Sequence, residues 1–196
     1  MVITNIVPLT KKKSLVEFDE EVTCCFYENE LKSFGFFAGG EIREEQFHTV
    51  MNEIILKRAK KKAMDMLVRT NRTEKEIRDK LVTSYFPEFI IEETILFLNH
   101  HKYLNEDMYT ENYVMFHSKG KSRIQLRMEL VKKGIDDETI SNYLELYYNE
   151  IEELKYVIQK KKGNTEEFAK KDKDKLIRYL IQKGFRQKDI LREIET

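Results

Sequence analysis

The residues that most clearly suggest a chemical role form a basic segment at positions 117–133. The segment holds one acid, Glu129, and six bases: Lys119, Lys121, Arg123, Arg127, Lys132 and Lys133. These bases flank Ser122, a residue type that caps helices, and the N-terminus of a helix favours anions. We therefore predict a partner-binding patch, either for phosphate groups in a sequence-independent manner or for the acidic surface of a protein. The alternative interpretation is a solvated helix face.

Other residues with catalytic potential lack suitable neighbours. The adjacent histidines His100 and His101 lie at a predicted helix end, where they cannot easily face one metal ion. Cys24 and Cys25 have no nearby histidine to activate a thiol. The glycine-rich segment at 34–40 has neither the lysine of a P-loop nor a dinucleotide-binding spacing. We predict that the protein is not an enzyme and that it has no catalytic residues, metal or cofactor.

Three aromatic residues precede the basic segment at helical spacing. Tyr109, Tyr113 and Phe116 follow an i, i+4, i+7 pattern, so they could stack nucleic-acid bases. The same spacing is typical of the buried stripe of a helix. We expect a core stripe.

Composition and charge indicate a helical, charge-segregated chain. Of 196 residues, 36% are charged, and there are two prolines and seven glycines. This mixture suits long solvated helices in an elongated, mainly α body. The net charge is zero, yet residues 135–154 carry seven acids and no Lys or Arg, whereas residues 155–192 carry thirteen bases against five acids. Local patches of one sign can therefore form.

Cysteine usage and hydropathy favour a cytoplasmic protein. Cys24 and Cys25 are adjacent, so a useful bridge between them is excluded by geometry and we expect reduced thiols. No apolar run approaches the roughly 20 residues that cross a bilayer, and the N-terminus lacks the pattern of a signal peptide. We expect no membrane contact and a monomer.

The first 43 residues differ from the rest of the chain. Residues 1–7 and 14–27 favour β structure, with a hairpin turn at Asp19, Glu20 and Glu21. From Glu44 onward the pattern is helical. We predict a boundary near residue 43.

The helical part repeats with a period of 49 and 50 residues. When Leu81, Leu130 and Leu180 are placed in register, apolar residues coincide four residues before them and five, ten and fourteen residues after them. These residues are Ile77, Leu126 and Leu176; Phe86, Ile135 and Phe185; Ile91, Ile140 and Ile190; and Ile95, Leu144 and Ile194. Such self-similarity is the signature of a repeat architecture.

Helix start and stop signals recur in the same register. Eight residues before each leucine stands a capping residue type: Thr73, Ser122 and Asp172. In the first two copies, Glu76 and Gln125 complete a predicted capping box. Gly134 and Gly184 supply the left-handed residue that ends the helix, where the first copy has Tyr85.

Each copy is therefore predicted to form three helices. The first helices span residues 44–69, 106–118 and 150–162. Together the copies predict three tandem three-helix repeats in an elongated curved rod, preceded by a small β-containing region. The predicted domains are 1–43 for the β-containing region and 44–104, 105–149 and 150–196 for repeats 1 to 3.

Basic residues also cluster outside the central segment. The run at 57–62 reads KRAKKK. The third copy carries nine further bases: Lys170, Lys171, Lys173, Lys175, Arg178, Lys183, Arg186, Lys188 and Arg192. Both clusters extend the predicted contact surface.

Several of these segments are similar to those of a known family. Asp107 followed by an aromatic helix, then KGKSRI at 119–124 and ELVKKGI at 129–135, resembles the central motif of the RecX family, bacterial regulators of the RecA recombinase. RTEKEI at 72–77 resembles the first-repeat motif of that family. The resemblance covers residues 54 to about 194. The departures are YFP at 85–87, which replaces the glycine turn, and a longer entry to the third repeat at 163–164.

The resemblance implies a fold of three tandem three-helix repeats and a function without catalysis. RecX proteins bind RecA filaments on single-stranded DNA, lie in the filament groove and suppress recombinase and coprotease activity. They block extension or promote disassembly. On this basis the six bases of the segment at 117–133 are expected to contact the RecA nucleoprotein filament. Direct, sequence-nonspecific DNA binding is the main alternative, and a metal-dependent enzyme around His100 and His101 is a third.

Overall fold

The chain divides into two compact units, Met1–Leu104 and Asn105–Thr196. The computed structural model describes residues 1–162 and 170–195, so the predicted loop at 163–164 lies outside the described residues. Among the described residues, no helix is both long enough and apolar enough to cross a membrane.

The N-terminal unit begins with a three-stranded antiparallel sheet in the order β1-β2-β3. The strands are β1 (Ile3–Thr10), β2 (Lys13–Phe18) and β3 (Val22–Tyr27). Asp19 and Glu20 both have positive φ angles, as expected for the tight turn of a two-stranded hairpin. The predicted hairpin is therefore confirmed.

One face of this sheet is buried beneath an aromatic cluster. Alternating side chains of β2 and β3 point inward, including Phe18 and Phe26, which are fully buried. After helix α1 (Glu28–Phe34) the chain returns with Phe36, whose ring meets those of Phe18 and Phe26 edge-on at 5.9 and 5.7 Å. Phe47 from the next helix adds a 5.2 Å contact with Phe18. The sheet is thus stabilised by what packs onto it.

The predicted helix at 44–69 is continuous but contains a π-helical segment. It comprises α2 (Glu44–Val50), π-helical Met51–Leu56 and α3 (Lys57–Arg69). Apart from Val50, its buried side chains recur every four residues: Phe47, Met51, Ile55, Ala59 and Ala63. A four-residue step would rotate this stripe by roughly 40° per turn around an ideal α-helix. The wider π turn offsets that drift and keeps the stripe on the core.

Two further helices complete the N-terminal unit. They are α4 (Glu74–Val82) and α5 (Glu88–His100). Strands give way to helices as predicted, but a single hydrophobic core extends from Ile3 in β1 to Leu98 in α5. The segment before residue 43 therefore shares its core with the helices that follow it.

The C-terminal unit contains two three-helix groups. The first is α6 (Glu106–His117), α7 (Arg123–Lys132) and α8 (Asp137–Tyr147). The second is α9 (Glu150–Lys162), α10 (Lys170–Gln182) and α11 (Gln187–Glu195). Each group encloses its own hydrophobic cluster.

The repeat register predicted from the sequence is confirmed at every aligned position. All fifteen apolar residues are buried, and the most exposed, Phe86, shows 9% of its surface. Leu81, Leu130 and Leu180 are completely buried. The repeated spacing therefore reports the cores of the helix groups.

The capping predictions are correct for one copy, half correct for the second and wrong for the third. Thr73 and Glu76 form the reciprocal capping box. Ser122 accepts a hydrogen bond from the Gln125 backbone N–H at 3.2 Å, but the buried Gln125 side-chain oxygen has no hydrogen-bond partner among the described residues. Asp172 lies inside α10, which begins at Lys170.

The turns that end the second helices are left-handed in all three copies. Gly134 and Gly184 have φ angles of 89° and 86°, as predicted, and Tyr85 has a φ of 60°. A left-handed conformation costs a non-glycine residue about 1–2 kcal/mol. Only the first copy bears that cost.

Candidate functional site

The basic segment occupies the α6–α7 loop and α7, and acids of α9 already fill the N-terminus of that helix. The Gly120 backbone N–H donates to Oε2 of Glu153 at 2.5 Å. The Arg123 backbone N–H donates to Oε1 of Glu150 at 3.2 Å. Carboxylates of the same chain therefore satisfy one donor at this helix N-terminus and one in the loop before it, which leaves less of the N-terminus available to a partner's anion.

The loop is also fixed to the α10–α11 turn. The buried Ser122 hydroxyl donates to the Lys183 carbonyl at 2.5 Å, and Nζ of Lys183 donates to the Gly120 carbonyl at 3.3 Å. The Tyr148 hydroxyl donates to the Lys121 carbonyl at 2.7 Å. These bonds join the two helix groups of the C-terminal unit and hold the loop in one conformation.

Three of the six predicted bases make structural contacts inside this unit. Nζ of Lys121 donates to Oε2 of Glu129 at 2.5 Å. The guanidinium of Arg127 binds Asp137 and Ser141 of α8.

Arg123 also contacts α8, where its guanidinium donates to a main-chain carbonyl. The acceptor is the Leu144 carbonyl, at 3.2 Å. The basic run, which looked almost uncompensated in the sequence, is therefore neutralised in part by Glu129 and by the distant Asp137.

The Lys121 contact lies in a small polar cluster with Tyr113. The Tyr113 hydroxyl donates to Glu129 at 2.8 Å. Partial burial would raise the pKa of Glu129, but the hydrogen bonds from Lys121 and Tyr113 outweigh it and hold this pKa below its usual value. Burial and the same carboxylate raise the pKa of Tyr113 to about 12. The cluster therefore keeps Glu129 ionised and Tyr113 protonated at neutral pH.

The other three bases lie closer to solvent. Lys119 and Lys132 are exposed, and Lys133 is half-buried. Nζ of Lys133 lies 5.5 and 5.4 Å from the ring centroids of Tyr109 and Tyr113. Lys119 projects in a different direction, toward α9.

Lys119 lines a cleft of about 480 Å³ between the two helix groups. We call it the lysine–tyrosine cleft, after its charged and aromatic lining residues: Lys119, Lys160, Lys161, Lys183, Tyr156 and Tyr179. The ammonium groups of Lys119 and Lys160 lie 4.8 and 6.0 Å from the Tyr156 ring, and those of Lys161 and Lys183 lie 4.7 and 5.6 Å from the Tyr179 ring. None of the described residues that line it is acidic. Cationic and aromatic groups in one cleft suit a phosphate-bearing partner.

Most of this cleft was missed in the sequence. Tyr156, Tyr179, Lys160 and Lys161 were not singled out, although the lysine run at the end of α9 is visible at 160–162. Lys183 was included among the bases of the third copy. The alignment of copies could not place Lys119 beside α9, because that contact joins one copy to the next.

The aromatic stripe of α6 is only partly a core stripe. Tyr109 is buried and Tyr113 is half-buried, and their rings stack at 6.0 Å. Phe116 exposes 74% of its surface, so the expectation of a buried position is wrong for this residue. Its ring extends from the last turn of α6 into solvent.

The candidate metal and thiol residues lack partners for catalysis within the described residues. The rings of His100 and His101 are 5.0 Å apart, and the described part of the chain contains no group of three or more His, Cys, Asp or Glu placed to hold a metal ion. Burial raises the pKa of the Cys24 thiol to about 12. This thiol is therefore protonated and unreactive at neutral pH.

Comparison with known proteins identifies the family. Two family models match: the first three-helix domain of RecX at residues 59–98 and the second at residues 105–144. The regulatory protein RecX of Caldanaerobacter subterraneus subsp. tengcongensis is 32% identical, over 97% of this chain and 96% of the relative. The chain belongs to the RecX family. The RecX regulatory protein of Clostridium acetobutylicum is 31% identical over 96% of this chain and 92% of its own length.

Solved RecX structures share the fold. A crystal structure of regulatory protein RecX superposes with a TM-score of 0.66 at 22% identity and covers 100% of this chain and 99% of its own. RecX from Lactobacillus salivarius gives a TM-score of 0.60 at 27% identity, over 71% of this chain and 94% of its own. The mainly α fold with three-helix groups is therefore that of RecX proteins.

Family membership assigns this chain a regulatory role. All six predicted bases fall within the second RecX domain at 105–144. The α9 and α10 residues of the lysine–tyrosine cleft lie beyond that range. The cleft thus combines two residues of the matched domain, Lys119 and Gly120, with residues of the helix group that follows it.

Proposed function

We propose that this RecX-family protein is a negative regulator of RecA. It binds the RecA filament on single-stranded DNA, blocks filament extension or promotes disassembly, and so lowers recombinase and coprotease activity. The observation that carries the proposal is family membership over almost the whole chain. The RecX resemblance supplies the partner, and the basic surfaces described above are compatible with a partner that combines nucleic acid and protein.

The proposed contact patch remains the six bases around α7, with different roles for its members. Lys119, Lys132 and Lys133 reach toward the partner. The other three bases, Lys121, Arg123 and Arg127, chiefly hold the α6–α7 loop and α7 against their neighbours, since their donors are engaged within the chain. The lysine–tyrosine cleft extends the patch beyond Lys119.

The test is inhibition of RecA by a variant that removes only exposed charges. Lys119→Gln with Lys132→Gln should raise the concentration for half-inhibition of the single-stranded-DNA-dependent ATPase of RecA by about tenfold, as two lost contacts of roughly 0.7 kcal/mol each would. The melting temperature should stay within a degree or two because both side chains are exposed.

A matched control carries the same loss of charge elsewhere. Lys75→Gln with Lys102→Gln replaces two exposed lysines of the N-terminal unit that lie outside the basic run at 57–62. Lys75 pairs within its own helix, with Asp79. This variant should inhibit RecA like the unsubstituted protein. Full inhibition by the folded Lys119→Gln, Lys132→Gln variant would exclude these residues from the contact.

Direct DNA binding is the second candidate function, and the lysine–tyrosine cleft favours it. Titration of the protein with single- and double-stranded DNA at two salt concentrations, without RecA, distinguishes direct DNA binding from binding to the RecA filament. Micromolar or tighter binding with a steep salt dependence supports a DNA-binding protein. Binding that appears only with RecA present supports the filament as the partner.

A further inference from the structure

The N-terminal unit contains a second basic cleft that lies outside the predicted patch. Three segments converge on this N-terminal cleft: the edge of β2 and β3, the middle of α3 and the turn between α4 and α5. Its volume is about 360 Å³. The lining residues used below are Lys13, Cys25, Tyr27, Lys62, Tyr85 and Asp65.

The charge in this cleft is strongly positive. Lys13, Arg58, Lys61 and Lys62 line it against the single acid Asp65. Arg58 is anchored, since it pairs with Glu30 and donates to the Cys25 carbonyl at 3.1 Å. The three lysines supply the remaining charge.

Lys62 lies near two further positive charges, those of Lys13 and Lys80. Burial lowers the pKa of its ammonium group, and the nearby positive charges of Lys80 and Lys13 lower it further. No hydrogen bond or ion pair joins Lys62 to another residue in the described ranges 1–162 and 170–195. An anion in the cleft would relieve this repulsion between like charges.

Two tyrosines provide aromatic surface beside these lysines. The Tyr27 ring has Nζ of Lys13 at 4.9 Å and the Arg58 guanidinium at 4.8 Å from its centroid, which orients both cations. Tyr85 exposes 45% of its surface at the lip. It occupies the left-handed position at which the other two copies have Gly134 and Gly184. The left-handed conformation is unfavourable for a tyrosine, but it places an aromatic ring at the cleft where a glycine would have no side chain.

We propose that the N-terminal cleft binds single-stranded nucleic acid, with a backbone phosphate between Lys13 and Lys62 and an adjacent base stacked on Tyr85. A carboxylate would satisfy the lysines but would leave the exposed aromatic ring unused. Lysines beside a stacking ring form the combination by which proteins hold single strands without reading their sequence. The cleft is also large enough for one nucleotide unit.

This site goes beyond the proposed regulation of RecA, because it does not require RecA. It also differs from the direct DNA binding considered above, which was assigned to the lysine–tyrosine cleft, because it lies in the N-terminal unit. It also gives the N-terminal strands a role, since Lys13, Cys25 and Tyr27 come from β2 and β3. Binding is therefore measured on the full chain alone, and its failure would leave inhibition of RecA untouched.

A thiol within the cleft reports binding at this site and not elsewhere. Cys25 lines the cleft and is partly exposed, whereas Cys24 is 1% exposed. Burial raises the pKa of the Cys25 thiol as well, so alkylation by N-ethylmaleimide at mildly alkaline pH should modify Cys25 slowly and leave the buried Cys24 unmodified. The Cys25→Ser variant verifies which thiol reacts. A short oligothymidylate should slow this alkylation by about fivefold or more, and DNA bound at the lysine–tyrosine cleft would not.

The lysine and tyrosine contributions are separated by two variants. Lys13→Gln with Lys62→Gln should abolish the protection of Cys25 and weaken overall binding of a fluorescein-labelled oligothymidylate. It should also reduce the slope of log affinity against log salt by about 0.7, the value for the one phosphate that the two lysines neutralise on a single strand. Tyr85→Gly suits the left-handed backbone and should weaken protection without changing the salt slope.

Controls distinguish the site from general charge and from a free nucleotide. Lys57→Gln with Lys75→Gln has the same charge change outside the cleft. In this variant the oligonucleotide should slow alkylation of Cys25 as much as it does in the unsubstituted protein. Thymidine monophosphate should need a concentration at least about tenfold higher than the oligonucleotide to protect Cys25, and inorganic phosphate a higher one still. Equal protection by the mononucleotide would overturn the assignment to a strand, and unprotected Cys25 in the oligonucleotide complex would overturn the site.

Discussion

At the scale of single residues, charge alone does not reveal role. Arg127 and Lys132 lie on the same helix and are both basic, yet Arg127 binds two side chains of α8 and Lys132 is exposed. Ser122 has two structural roles, because its hydroxyl caps α7 and also donates a hydrogen bond to the Lys183 carbonyl. Residues that looked like a surface patch are in part the connections between helices.

Replacement of Arg127 tests this division. Arg127→Ala should destabilise the protein by about 1 kcal/mol, a modest value because the ion pair with Asp137 is partly exposed. That loss corresponds to a fall of about 4–8 °C in the melting temperature of a unit of this size. Lys132→Ala, on the same helix, should change stability by less than about 0.5 kcal/mol. Equal melting temperatures for the two variants would contradict the structural role assigned to Arg127.

At the scale of elements, the turns between the second and third helices of each group differ in their surroundings. Gly134 and Gly184 both end their helices in a left-handed conformation, and Gly184 also lies against the α6–α7 loop. A Cβ atom at Gly184 would come within 2.8 Å of the Ser122 hydroxyl and 3.3 Å of Cβ of Ile124. Ser122 cannot move away without losing its hydrogen bonds.

Alanine at each glycine should therefore have unequal effects. Gly134→Ala should cost about 1 kcal/mol, the backbone penalty of a left-handed alanine. Gly184→Ala should cost about 2–3 kcal/mol, because a steric clash adds to that penalty. Chemical denaturation of both variants measures the difference. Equal costs would mean that the contact between the turn and the loop contributes nothing.

At the scale of the whole molecule, the N-terminal unit is built on one core. Eight hydrophobic residues before position 43 are buried in it: Ile3, Val16, Phe18, Cys24, Phe26, Leu31, Phe36 and Ile42. The helices of this unit pack on them through contacts such as Phe18 with Phe47. The strands are therefore part of the folding unit, and the predicted arrangement of all repeats as a curved rod stays a prediction.

Removal of residues 1–43 should unfold the remainder of the N-terminal unit. Each of the seven larger buried side chains contributes about 1.5–3 kcal/mol. Their combined loss, on the order of 10–20 kcal/mol, is as large as the roughly 5–15 kcal/mol that stabilise a typical domain. The truncated chain should show reduced helical circular dichroism and bind a hydrophobic dye. A cooperative melt with full helical signal would show that the helices 44–104 fold alone. Point variants are consequently the better test of what the strands bind.

The sequence by itself determined the helices, their repeat register, the hairpin and the family, because each of these signals is carried by contiguous segments. The repeat becomes visible when segments 49 and 50 residues apart are compared. Periodicity exposes the buried positions around Leu81, Leu130 and Leu180, and the RecX motifs are contiguous. Only the tertiary structure decided which bases are engaged and which line clefts. Arg127 meets Asp137 across a turn, Gly120 meets Glu153 33 residues away, and Lys119 meets Tyr156 from another helix group. Electrostatic neutralisation and the shape of a cleft depend on distances in space, which local spacing does not encode.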